Sequence, residues 1–405
     1  AQERHLSDTA INRTSSSMLR NETTQQTDYV DLSKSVAGSL SGNTIAVNAG
    51  NDINVRGSFI AGTGDVDLVA GGAVNIEAGT NTLTERHHKE VKESGFLSGG
   101  GFGISYGERT TTTDLSRDAT TQSLDARSIV GSVDGNLNIK AGEAIKVGGS
   151  DLYAGHDMTL EGKSVTIDPG RDNVHDKFDQ SMKQDGFTLA VGGTVVGALQ
   201  TLQTVGEAAS ESKDGRVQAL AAATAALAVR NAASDIAQNG LNVSVSLTVG
   251  HSESQTSRTS DNLTNVGSTL KAGNDLTIIA TGGGADSNIN IIGSDLTADG
   301  NIKLKADNEV NLVAAQDQES QHTDTSSMSA AAGIGASFGS NGTSIGFTAS
   351  ASVGKGKEDG KGTTQLNSHV TAGKQLAIES GGDTNIKGAV ASGEQVVAKV
   401  GGDLN

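Results

Sequence analysis

One phrase recurs along the chain, and its recurrence limits the possible folds more than any other feature. Its versions are Gly57-Ser58-Phe59-Ile60-Ala61-Gly62, Gly149-Ser150-Asp151-Leu152-Tyr153-Ala154-Gly155, Gly267-Ser268-Thr269-Leu270-Lys271-Ala272-Gly273 and Gly293-Ser294-Asp295-Leu296-Thr297-Ala298, with degenerate copies at Ser368 to Gly373 and near Gly388. Apolar residues at i and i+2 follow each copy, as in Val66/Leu68, Leu137/Ile139, Met158/Leu160, Leu276/Ile278, Ile302/Leu304 and Leu376/Ile378. A period of two marks short β-strands with one apolar face. Between strands lies Ala-Gly-Asn-Asp, at 49–52 and 272–275, or a variant of it. There glycine can take a positive φ, and Asn or Asp can hydrogen-bond the turning backbone. A β-sandwich repeats strands without repeating corners, because each strand meets different neighbours. A unit of roughly 20 residues that repeats both is the signature of a solenoid, in which each coil stacks on the next. The predicted fold is all-β, a right-handed parallel β-helix of roughly eight or nine coils, on the order of 40 Å long.

Composition agrees with a thin core built many times over. Of 405 residues 54 are Gly, one is Pro, none is Cys or Trp, and aromatics make up 2%, so the rings that fill a thick core are scarce. Apolar residues at 35% still argue against a disordered chain. A formal charge of −17, with 30 Lys plus Arg spread along the chain, leaves no basic footprint for nucleic acid. The lack of cysteine removes disulfides and thiolate metal sites, and suits a chain exported unfolded through an oxidising compartment. The chain starts at Ala1 without a signal peptide, and is expected to be an excerpt of a larger protein.

The repeat is interrupted by three kinds of insert. Residues 1–168 read as coils with polar arches, including a hairpin insert at about 80–127; 241–405 read as coils with an arch insert at about 316–365. Both inserts carry polar runs around a Gly-alternating centre, Gly101-Phe102-Gly103-Ile104-Ser105-Tyr106-Gly107 and Gly333-Ile334-Gly335-Ala336-Ser337-Phe338-Gly339. Such alternation suits strands whose bare face lies against another backbone. The polar start, residues 1–36, and Gly250 to Asp261 read as further arch strands. The third kind, 169–240, is expected to be an inserted α-helical hairpin. Its first half has no charge from Gly186 to Gly206, its second half from Arg216 to Gln238 is Ala-rich, and Ser212-Lys213-Asp214-Gly215 breaks the two.

Several catalytic look-alikes are set aside. Gly103-Ile104-Ser105-Tyr106-Gly107 matches the nucleophile elbow of α/β-hydrolases, but 335–339 and 342–346 match as well and no helix pattern follows any of them. His87-His88 between Glu85 and Glu90 suggests zinc, yet adjacent residues of a strand point to opposite faces. Gly282-Gly283-Gly284-Ala285-Asp286 resembles a calcium nonapeptide only once, where tandem copies are needed. A polysaccharide lyase cleft needs acids, bases and aromatic platforms that three Tyr and no Trp hardly supply. No enzyme activity, metal or other cofactor is expected. The uncharged run stands apart, because its apolar residues Phe187, Leu189, Val191, Val195, Val196, Leu199 and Leu202 must be covered by something. The cover is either the rod and a partner helix around Leu220, Leu227 and Val229, or a membrane or membrane protein. Thr, Gly and Gln dilute the run too much for a constitutive transmembrane helix.

The repeated Gly-Ser-x-Leu-x-Ala-Gly-Asn-Asp-Leu-x-Ile and Asp307-Asn308-Glu309-Val310-Asn311-Leu312-Val313-Ala314-Ala315 resemble the haemagglutinin repeats of filamentous haemagglutinin-type exoproteins of the two-partner secretion pathway. The hairpin Ser94 to Gly103 and the Ala-rich interruption containing Asp214-Gly215-Arg216-Val217-Gln218-Ala219-Leu220 are most similar to the second repeat region of contact-dependent growth inhibition proteins. The resemblance implies a non-catalytic β-helical stick of a secreted, cell-surface protein. It would be exported through an outer-membrane transporter that reads a separate N-terminal region, would stack on neighbouring coils of its parent chain, and would help carry a C-terminal toxin to or across the target cell's outer membrane, acting there or at a receptor. No N-terminal secretion domain and no Val-Glu-Asn-Asn boundary occur in the 405 residues. A plain adhesin stalk that binds host or bacterial surfaces and delivers nothing stays open as the alternative.

Overall fold

The structure, a computed structural model, describes residues 1–98, 103–193, 224–234, 242–339 and 342–405. Among the described residues seven successive coils each lay one strand on three parallel sheets and an eighth adds a strand to two of them, giving sheets of eight, eight and seven strands. In the third coil the strands are Ile129–Ser132, Leu137–Ala141 and Ala144–Gly148; in the fourth they are Asp151–Ala154, Met158–Gly162 and Ser164–Asp168. The i, i+2 pairs point inward and stack like on like. Leu68, Ile139, Leu160, Ile278, Leu304 and Ile378 follow one another through six coils in register, each 0 or 1% exposed. Burying one such side chain stabilises by roughly 1.5–3 kcal/mol. Repetition through the ladder therefore replaces the aromatic bulk that the composition lacks.

The corners are tied from coil to coil. Asp157 Oδ1 accepts hydrogen bonds from the Asn274 side chain at 2.7 Å and the Asp275 backbone N–H at 3.1 Å, and Asp275 Oδ1 accepts the Asn301 N–H at 2.7 Å. This is the work of the repeated Asn-Asp pair. The corner that leads from the third sheet into the next coil takes two alternating forms. In one form it is a single glycine, Gly57, Gly149, Gly293 or Gly388, with φ of +50°, +56°, +48° and +64°, a left-handed conformation that side chains resist. In the other form that single residue is replaced by a long hairpin.

The serine of the recurring phrase makes the exchange possible. In glycine corners its hydroxyl donates to the carbonyl two residues back, Ser150 to Gly148 at 3.0 Å and Ser294 to Ile292 at 2.7 Å. In hairpin corners the same hydroxyl reaches across the neck of the insert. Ser128 donates to the Glu77 carbonyl, Ser268 to Asp168 and Ser368 to Val313, each at 2.7 Å. The coil therefore closes as though the hairpin were absent.

Among the described residues four hairpins are present: β1 (Gln2–Ser16) with β2 (Arg20–Ser35), β3 (Asn81–Ser98) with β4 (Gly103–Thr121), β5 (Gly170–Gly192) with β6 (Asn242–Val266), and β7 (Ala315–Gly339) with β8 (Gly342–Leu366). They join side by side, antiparallel at every junction, into one eight-stranded sheet outside the rod. Spacing explains the union. Two coils rise by about 9.6 Å and a two-stranded hairpin is about 9.6 Å wide, so hairpins at every second corner meet edge to edge.

The polar start and Gly250 to Asp261 are strands of this sheet, as expected. The expected α-helical hairpin at 169–240 needs correction over its first part, since Gly170–Gly192 is strand β5 and pairs with β4 and β6 along its length. Phe187, Leu189 and Val191 alternate with Thr188, Ala190 and Gly192, and this period of two, completed by neighbours on both sides, outweighs weak helix propensity. Among the described residues of the insert, 224–234 are helical.

Candidate membrane-contact face

The part of the hairpin sheet farthest from the rod has two unlike faces. On β5, Phe187, Leu189 and Val191 share one face by the alternation of a strand. The register extends that face across six strands. One row runs Phe96, Tyr106, Phe187, Val249; the next Ile104, Leu189, Leu247, Ile334, Phe347; the next Val191, Val245, Ala336, Ile345. Phe96 and Tyr106 meet edge to face with ring centroids 5.3 Å apart. These side chains face outward, Phe347 at 92% and Ile345 at 82% exposure, and most of the others are near one half. The opposite face carries small and hydroxyl residues, Ser105, Thr188, Thr248, Gly333 in one row and Ala190, Ser246, Gly335, Gly346 in another.

Charge divides the sheet along its length. No charged residue occurs from Thr325 to Gly354, from Asn242 to Gly250 or from Gly186 to Gly192. Toward the rod the strands are dense with ion pairs. His251 lies 2.7 Å from Asp185, Lys183 3.2 Å from Glu253, His175 2.5 Å from Asp261 and Arg86 2.7 Å from Asp118, while Arg20 and Arg109 converge on Glu93. His322 bonds both Asp359 and Asp324, which hold its imidazolium above the ordinary range. Exposed pairs of this kind add little stability each. Their effect is to keep the near half of the sheet in water, while the far half presents an uncharged apolar leaf.

Of the residues singled out from the sequence, Phe187, Leu189 and Val191 lie on this leaf. Val195, Val196, Leu199 and Leu202, and Leu220 of the expected partner helix, lie outside the described residues. Leu227 and Val229 belong to the helical stretch and are 54% and 51% exposed. Sequence reasoning missed the contribution of β6, β7 and β8. The signal was present in Val243, Val245, Leu247, Val249 and in Ile345, Phe347, both spaced by two, but their alignment with Phe187 depends on pairing between separate hairpins.

The side chains of the catalytic look-alikes are tied into the hairpin sheet. Ser105 is 3% exposed and its hydroxyl rests 2.9 Å from that of Thr188. His87 and His88 diverge, one to Asp28 at 2.8 Å and the other to Asp114 at 2.6 Å. Among the described residues no group of three or more His, Cys, Asp or Glu could hold a metal ion, and no helix is long and apolar enough to cross a membrane.

Comparison with known proteins agrees with this architecture. The family model described as "Hemagglutinin repeat" matches residues 16–129 and 247–405. The chain is 38% identical over 383 residues to "tRNA nuclease CdiA" of Escherichia coli strain NC101, and 39% identical over 383 residues to "16S rRNA endonuclease CdiA" of Enterobacter cloacae. These matches take in 91% and 92% of this chain and 11% of each relative. It is also 35% identical over 369 residues to "tRNA nuclease CdiA" of Burkholderia pseudomallei, covering 86% of this chain and 28% of that protein. The chain thus spans a minor part of relatives whose names are those of nucleases. No solved structure matches it. Its stacked coils, its recurring phrase and these relatives agree: the chain belongs to the hemagglutinin-repeat family, as a repeat region of the CdiA type.

Proposed function

We propose that this region is a non-catalytic stick of a large secreted bacterial surface protein, and that it helps deliver a C-terminal toxin to or across a target cell's outer membrane. The coils supply a stiff, cheaply repeated spacer, and the hairpin sheet supplies the contact. The observation that carries the proposal is the apolar leaf. Soluble proteins seldom expose contiguous apolar surface on this scale without a partner for it. A strand that crosses a bilayer needs about 9–11 residues with alternating apolar and small or polar faces. The 15 residues of β7 from Thr325 to Gly339 and the 13 residues of β8 from Gly342 to Gly354 exceed that length without a charge.

The test is to place aspartates on the leaf at Leu247 and Phe347 in the full-length parent, and to measure secretion, cell binding and target killing separately. Exposed sites tolerate the change in the folded protein, so secretion and cell attachment should persist while killing falls. Normal killing by the double variant would refute membrane contact through the leaf. Loss of attachment alone, with no toxin effect to lose, would assign the region to an adhesin.

A further inference from the structure

We infer that the hairpin sheet carries a hinge line between its charged near half and its apolar leaf, and that this hinge sets the angle at which the leaf is presented; the inference rests on the membrane-contact reading. Gly95 pairs with Gly107, Gly107 with Gly186 and Gly186 with Gly250, so one row of four strands has no side chain at all. The row continues as Ala331 and Ser350 on β7 and β8. A sheet can fold without tearing its ladder only where all its strands bend at the same row, and the register puts these residues on one line.

The backbones along that line are closer than side chains allow. A methyl group at Gly107 would collide with the Asp185 carbonyl oxygen, and one at Gly186 would lie 2.5 Å from that of Tyr106. At Gly250 the Ala330 carbonyl oxygen would be 3.0 Å away. Glycine inside a strand marks this kind of close approach or tight bend. On the small-residue face an open cavity of about 160 Å³ lies above Gly186 and Gly250, where the row leaves out its side chains. The chemistry also changes at this row. Asp185 and His251 pair on its near side, and Phe187 and Val249 pair on its far side. A bend there moves the apolar leaf as one body without exposing a charge to it or breaking an ion pair.

The absence of cysteine makes the distance measurement direct. Asn242→Cys and Gln255→Cys place spin labels on exposed positions of β6 on either side of Gly250, 13 residues apart, and a straight strand would separate them by about 44 Å. In solution the otherwise unaltered protein should show a broad distribution centred below that value. Gly107→Ala should flatten the sheet and move the distribution toward it. Gly250→Ala, whose added methyl is only mildly crowded, should do so to a smaller extent and guards against misfolding of the first variant. A single narrow distribution at the straight-strand distance, or one distribution common to all three proteins, overturns the hinge. With vesicles of phosphatidylethanolamine and lipopolysaccharide, binding should narrow the distribution. Binding without any change in distance overturns the hinge's role in presentation and leaves membrane contact standing. Absence of binding refutes membrane contact, while the solution distances still decide the hinge.

Discussion

Leu160→Ala is the most direct trial of the stacked core. Leu160 is fully buried and sits between Ile139 of the coil before and Ile278 of the coil after. Truncation removes three carbons, about 2.4 kcal/mol at roughly 0.8 kcal/mol per methylene, and the cavity left behind brings the total to about 3 kcal/mol, within the range of roughly 2–5 found for such changes. Coils above and below are held by their own ladders, so the site cannot collapse far to fill the space. Val396→Ala in the last coil is the matched control. Val396 is 49% exposed, and its truncation should change stability by about 0.5 kcal/mol or less. Urea unfolding followed by far-UV circular dichroism is the suitable assay. Melting temperature is a blunt reading at this size, since 405 residues at roughly 2.1 cal/mol/K of unfolding entropy each give about 1 °C per kcal/mol. A loss below about 1 kcal/mol for Leu160→Ala, or equal losses in the two variants, would refute the inward ladder.

Other outcomes follow from the corners and the charged groups. Replacing residues 78–127 with one glycine should leave the coils folded, because Ser128 already bonds the Glu77 carbonyl as Ser150 bonds Gly148; cooperative unfolding with an unchanged coil spacing in fibre diffraction or electron microscopy is the check. Asp151→Ala should cost about 3 kcal/mol in urea unfolding, since it removes the carboxylate partner of Arg127, whose guanidinium lies 2.5 Å from Asp151, is 13% exposed and keeps the Gly267 carbonyl at 2.9 Å. Asp168 has a buried, unbonded Oδ1, and burial pushes its carboxyl above the usual value. A raised folded pKa means that ionisation opposes folding, so Asp168→Asn should stabilise at neutral pH, and the gain should vanish as pH falls below the ordinary carboxylate range. Glu77 behaves in the opposite sense. Lys146 and Arg56 hold it low, so its contribution is present above its ordinary range and is lost on acidification; Glu77→Gln should flatten the acid limb of the stability profile.

The coils were legible in the sequence because they obey local rules. Period-two apolar pairs and Asn-Asp corners each speak for themselves, and Leu68, Ile139 and Leu160 fell where their spacing put them. The hairpin sheet was legible only in pieces. The alternation around Ile104 and Ile334 identified strands, but nothing local shows that β4 pairs with β5 or that β6 pairs with β7, since those contacts are set by the rise of the rod. Phe187 to Gly192 was misread for the same reason: Ala, Leu and Gln after it favour helix, whereas the neighbours that hold it extended lie 52 to 87 residues away in the chain. Ser268 and Ser368 were visible as members of the phrase, but their bond across each neck, and the matching bond of Ser128, appear only in three dimensions.

The match between two coils and one hairpin also restricts how genes of this kind can lengthen or shorten. A recombination that adds a single coil would set neighbouring hairpins three coils apart, about 14 Å for a strand pair about 9.6 Å wide, and the sheet would split there. Adding or losing a hairpin together with its two coils leaves every junction intact. Lineages should therefore differ in whole hairpin-coil-coil steps, and a sequence carrying an odd number of coils between hairpins should mark the place where its sheet ends and another begins.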